Sequence, residues 1–181
     1  MSILRISIYR WFFILLFAGG TSLLFSQTPA REYQIKAVLL FNFTQFVEWP
    51  AATPAAQEPL VIGVLGQNPF GAYLKDIVAG EKVNGHELIV QYYGSVEEIK
   101  SCHILFINMS ETNKMEQISE KLKSQHVLTV SDGASFMRQG GMVRFITKNN
   151  KTQLQINLNA TKAAQLIISS KLLRLAEIYS E

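Results

Sequence analysis

The sequence predicts an α/β fold, a single-domain mixed sheet flanked by helices, with a C-terminal β-hairpin followed by a long helix. Three observations carry that expectation. Short continuous apolar runs such as residues 60–65 and 103–107 read as strands covered on both faces, and they alternate with helical segments. Asn149-Asn150 separates two stretches that alternate apolar and polar residues, the pattern of a hairpin. Beyond Asn159 the apolar residues return at helical spacing.

Taken in order, residues 1–26 have the layout of a secretory signal peptide. Arg5 and Arg10 precede an apolar run from Trp11 to Ala18, and a softer stretch leads to Ser26 and Gln27. With Gly19, Gly20, Thr21 and Ser22 in its middle, this segment falls short of the roughly 20 apolar residues that span a bilayer. Residues 27–181 then form one exported domain of about 155 residues, with no transmembrane segment after cleavage, large enough for a core without metal or disulfides.

Residues 31–49 lack Gly and Pro, are rich in Leu, Phe, Val and Ala, and stop at Trp49-Pro50, which predicts a buried helix. Residues 51–59 are a Pro/Ala connector. Strand 60–65 ends in Gly66-Gln67-Asn68-Pro69, a turn feeding a helix over about 70–78. Further strands are expected at 88–93, 103–107 and 127–130, with helices at 96–100 and 112–124. A two-residue turn at 149 and 150 pairs Phe145 with Leu154 and Val143 with Ile156 on one face. It sets Arg144 opposite Gln155 and Lys148 opposite Lys151 on the other. Asn159 is the expected cap of a helix over 160–178 whose apolar stripe is Ala164, Ile168, Leu172 and Leu175.

Composition excludes several classes of function. At 48% hydrophobic and 17% charged, with 11 Gly and 5 Pro, the chain is neither disordered nor fibrous. Loss of Arg5 and Arg10 takes two of 17 basic residues and leaves a net charge of +1 against 14 acids, so nucleic-acid binding loses its simplest support. Charge is unevenly spread, because residues 133–176 carry seven basic residues and no acid, which makes the C-terminal quarter a candidate anion-facing surface.

Catalytic motifs are weak. The three histidines, His86, His103 and His126, lie in separate segments without the paired spacing of a zinc site, so no metal is expected. Ser131-Asp132-Gly133 is not a nucleophile elbow and reads as a turn, and Gly63 to Gly71 lacks the spacing of a dinucleotide fingerprint, so no cofactor is expected. The single Cys102 heads an apolar strand and is expected to be a buried thiol. Phe41, Phe43 and Phe46 are read as core. Trp49, at the helix end, is the aromatic expected at an interface or pocket.

These residues carry a resemblance. The stretch from Lys36 to Pro50, with Phe41-Asn42-Phe43-Thr44-Gln45-Phe46-Val47-Glu48-Trp49-Pro50 at its end, resembles the opening signature of the YfiR-like family of exported bacterial regulators. Val64-Leu65-Gly66 with Pro69-Phe70-Gly71, the segment Cys102 to Ile107, Val127 to Val130 with Asp132, Gly140-Gly141-Met142 with Ile156-Asn157, and Ser169 to Ala176 are similar to that family's pattern in order. The resemblance implies a periplasmic α/β protein without enzymatic activity or cofactor. Its partner would be the periplasmic sensory region of an inner-membrane diguanylate cyclase or histidine kinase, held off by the regulator, with effects on cyclic-di-GMP and biofilm formation. An outer-membrane OmpA-like lipoprotein and a second copy of the chain are further partners compatible with it. A small-ligand binding protein is the alternative function. Where that family often has a Cys before Val-Leu-Gly, able to pair with the Cys of the Cys-His strand, this chain has Gly63. The residues expected to bind a partner or ligand are Trp49, Arg144, Lys171 and Arg174, the three basic ones on the polar side of the hairpin and the last helix.

Overall fold

The computed structural model describes residues 29–50 and 58–180. The expected signal peptide and most of the 51–59 connector lie outside the described residues. Helix α1 (Pro29–Phe46) runs directly into a short strand β1 (Val47–Glu48). Strand β2 (Leu60–Leu65) is buried along its whole length, as its continuous apolar run demands. Then follow α2 (Tyr73–Val78), β3 (Lys82–Val83), β4 (His86–Tyr93), a 3-10 turn (Val96–Glu98) and β5 (Ile104–Ile107). A 3-10 segment (Met109–Lys114) leads into α3 (Met115–Leu122) and β6 (Leu128–Ser131).

After another 3-10 turn (Met137–Gln139) come the hairpin strands β7 (Val143–Lys148) and β8 (Lys151–Ile156). Their register pairs Val143 with Ile156, Arg144 with Gln155, Phe145 with Leu154 and Lys148 with Lys151, as the alternation predicts. Asn149 and Asn150 take φ of 52° and 57°, the left-handed pair that a two-residue turn of matching twist requires.

The expected long helix over 160–178 is corrected. Four short elements replace it: α4 (Leu158–Ala163), β9 (Ile167–Ile168), α5 (Ser170–Leu173) and β10 (Ala176–Ile178). Gln165 adopts φ of 60° and breaks the helix, and the β-branched pair Ile167-Ile168 pairs antiparallel with Glu48 and Val47. Ser169 donates its backbone N–H to Phe46 O at 2.9 Å, and its hydroxyl accepts from Leu172 N to cap α5. Leu175 therefore leaves the expected apolar stripe and is exposed. Asn157, rather than Asn159, caps α4 by accepting from Ala160 N at 3.0 Å.

Among the described residues the main sheet has the order β10-β8-β7-β6-β5-β2-β4-β3. Strands β4, β2, β5, β6 and β7 run parallel, β8 runs against β7, and β10 runs parallel to β8. Side chains of alternate parity fill two core layers. One joins Leu40 and Phe43 of α1 to Ile62, Val64, Phe106, Val130 and Phe145. The other joins Leu65, Leu105 and Ile107 to Ile118 of α3 and to Phe136. Phe43 stacks on Phe145 with ring centroids 6.1 Å apart, so α1 lies across the middle of the sheet. Cys102 is buried in the second layer, as expected, and burial pushes its thiol up to about 12.

Candidate functional site

Open α/β sheets usually take their ligands outside the carboxyl ends of the strands, where neighbouring connections diverge. Here that point lies between β2 and its two neighbours, β4 and β5. The chain's own side chains fill it. Gly66, at φ of 85°, donates its N–H to Tyr93 O at 2.9 Å, and a Cβ on it would meet Glu111 Cγ at 2.7 Å. Asn108 Nδ2 donates to Gln67 O at 2.8 Å and clamps the two loops together.

Next to this plug, the first turns of α1 close over the end of β6. Lys36 is 4% exposed and places Nζ 2.8 Å from Glu32 Oε1 and 2.7 Å from Asp132 Oδ2. Tyr33 donates its hydroxyl to the same Asp132 oxygen at 2.9 Å, and its ring lies under the Lys36 ammonium with 4.3 Å from nitrogen to centroid. Burial and then the Asp132 carboxylate push the Tyr33 phenol well above its ordinary range, so it remains a hydrogen-bond donor. Sequence reading did not single out this cluster. The available signal was the Glu32/Lys36 pair at i,i+4 on an otherwise apolar helix, and it names only two of the four members.

At the opposite end of the strands, His103 is buried and accepts the Val61 N–H on Nδ1 at 3.0 Å, so its ring is neutral with the proton on Nε2. Burial lowers its pKa; Glu58 opposes the shift and His86 adds to it. Because the folded form disfavours the proton, stability is fully present above the unfolded value near ~6.5 and is lost as pH falls below it. Replacement His103→Asn keeps an acceptor near Nδ1 and removes the titration. The parent's melting temperature is expected to fall more steeply than the variant's between pH ~6.5 and ~5. Parallel curves in differential scanning fluorimetry would contradict this account.

Trp49 meets His103 edge to face, with centroids 6.1 Å apart. It also lines a cleft of about 530 Å³ together with Glu48, Asn84 and His86. Its indole Nε1 is buried and lacks a hydrogen-bond partner among the described residues. Trp49 thus lies at a concave surface.

The three basic candidates are not gathered at one place. Arg144 sits in a row across the sheet, Ser131-Arg144-Gln155-Glu177, through the registers of β6, β7, β8 and β10. This row has the parity opposite to Val143 and Phe145, so it faces away from α1. Beside it Lys148 reaches Glu177 with Nζ to Oε1 at 2.6 Å. Arg144 Nε is buried without a hydrogen-bond partner among the described residues. Lys171 and Arg174 are exposed on and just after α5, which packs on the α1 side of the sheet through Leu172 and Leu173.

Among the described residues no His, Cys, Asp or Glu group is arranged to hold a metal ion, and no helix is long and apolar enough to cross a membrane. No curated protein is similar enough to the chain to match it. A family model described as YfiR/HmsC-like does match, over residues 33–177, which run from the tyrosine that caps Asp132 to the glutamate that holds Lys148. Both layers of the core and every strand of the main sheet except the last residue of β10 fall within that span, and the chain belongs to the YfiR/HmsC-like family.

Proposed function

We propose that the protein is an exported regulator without enzymatic activity, which binds and represses the periplasmic sensory region of a membrane-bound diguanylate cyclase or similar sensor kinase and so controls cyclic-di-GMP output. The observation that carries this reading is the YfiR/HmsC-like match across residues 33–177. It is supported by the filled strand ends, where Lys36 pairs with Asp132, Asn108 donates to Gln67 O and Glu111 pairs with Lys114. Cleavage of a signal peptide near Ser26 delivers the chain to the periplasm. Repression follows from differential affinity: the regulator shifts its partner only by binding one state more tightly than the other.

Arg144 is the central contact of this proposal. It stands on a rigid sheet, its guanidinium has no ion pair among the described residues, and Ser131 and Gln155 flank it. A fork of fixed donors in that setting suits an acidic side chain on the partner. Trp49, Lys171 and Arg174 would contribute at other parts of the contact. An outer-membrane OmpA-like lipoprotein that sequesters the regulator, and a homodimer, belong to the same proposal. Crosslinking in the native host followed by mass spectrometry tests the partner class. A sensor protein among the products supports the reading, and its consistent absence overturns it. With the sensor's periplasmic region purified, Arg144→Glu is expected to weaken binding at least about thirtyfold by calorimetry, the factor for ~2 kcal/mol. Unchanged affinity removes this face.

A further inference from the structure

We infer that a second concave site, between α3, the start of β6 and α4, binds a small amphipathic carboxylate with an apolar body and a single negative charge. The cleft has a volume of about 500 Å³, within the range of ligand sites. Its apolar wall is Met115, Leu122, Val127 and Met142, and the small residues Ala160, Ala163 and Ala164 leave room opposite. Its polar side chains are Ser119, Lys123, His126, Thr129 and Gln165, and no carboxylate lines it.

The charge and hydrogen-bond chemistry select an anion. Lys123 is 76% exposed, and among the described residues its one ion pair, to the similarly open Glu120, is a loose 3.4 Å. Its ammonium is therefore free to turn to a bound carboxylate at little cost. His126 Nδ1 lies 3.0 Å from Ala164 O. A carbonyl only accepts, so Nδ1 donates and Nε2 of the neutral ring is an acceptor; the donors available to a carboxylate are the side chains of Lys123, Ser119 and Gln165. The chain leaves α3 through His126 at φ of 49° and α4 through Gln165 at φ of 60°. Glycine is the relaxed residue for such left-handed positions. Both walls carry a polar side chain there instead.

This inference stands apart from the docking reading, because the cleft shares no residue with the Arg144 row or with Trp49. It is tested by following amide chemical shifts of the mature protein during titration with phenylbutyrate, using phenylbutanol as the uncharged match. Saturable shifts centred on Val127, Met142 and Ala164 are expected for the acid, with the alcohol about tenfold weaker. Ala163→Leu, which fills the space, and Lys123→Glu, which reverses the charge at an exposed position, should each weaken the acid about tenfold. Lys123→Glu keeps the test decisive if Ala163→Leu fails to fold. Absence of saturation at millimolar acid, equal binding of the alcohol, or shifts centred elsewhere would overturn the site.

Discussion

Replacing Lys36 by methionine is expected to lower the melting temperature by about 10 °C, the largest effect of any single change considered for this fold. The ammonium is 4% exposed and is shared between Glu32 and Asp132. Its removal leaves Asp132, whose side chain is 11% exposed, as a nearly buried carboxylate near a second one, with the Tyr33 hydroxyl as its remaining side-chain donor among the described residues. Breaking such a pair from one side costs about 3–5 kcal/mol, whereas removing both charges is often close to neutral. The double variant Lys36→Met/Asp132→Leu should therefore regain much of the loss. The unpaired Tyr33 phenol keeps it short of the parent by about 1–3 kcal/mol, and Tyr33→Phe in the same background should relieve that deficit. Calorimetric melting of the series decides the matter. A Lys36→Met protein that melts with the parent would show that the cluster does not hold α1 on the sheet.

Gly63→Cys is expected to destabilise the reduced protein and stabilise the oxidised one. A Cβ at position 63 would lie 3.4 Å from Cys102 Cβ, at the short end of the ~3.5–4.5 Å found in disulfides. It would also lie 2.7 Å from Tyr93 Cε2 and 3.0 Å from Leu105 Cδ1. Tyr93 fills the space that a side chain at 63 would need. Its hydroxyl donates to Gln91 Oε1 at 2.7 Å or to Ser101 O at 3.0 Å, which pins the ring. Crowding it should cost about 1–3 kcal/mol in the reduced variant, and Gly63→Ser should show the same loss. Closing a loop of about 40 residues returns up to about 4 kcal/mol once the bridge forms. Air oxidation should be slow, because burial pushes the Cys102 thiol up to about 12 and thiolate is scarce at neutral pH. Melting with and without reductant, after oxidation by copper phenanthroline, reads both effects. A reduced variant as stable as the parent would remove the role given to Tyr93, and failure to crosslink would remove the geometry.

Local patterns in the sequence were the legible part of this fold. Leu60–Leu65 is a strand because a continuous apolar run has no polar face to expose, and its bounds are those expected. The hairpin register follows from alternation and a two-residue Asn-Asn turn, both of which lie within a few residues of each other. Residues 160–178 were misread because their apolar spacing suits a helix as well as two short strands. Pairing with β1 and β8, far away in sequence, chose the strands. The same distance hid Lys36 and Asp132, which are 96 residues apart. Each had an adequate local explanation, one as part of an apolar helix and the other as a turn residue. Arg144 was legible as a polar-face residue of the hairpin, but nothing local showed that α5, which carries Lys171, would pack on the α1 side of the sheet and leave Lys171 and Arg174 exposed there.

Helix α1 depends on partners that the ribosome makes last. Its ion pair waits for Asp132, its aromatic stack for Phe145, and its C-terminal end for Ile168 and Ser169. Such distant closure slows folding, since the loop must be drawn together before any contact rewards it. Until Asp132, Phe145 and Ile168 have been synthesised, α1 has only β2 and α2 to sit against, and part of its apolar face stays open.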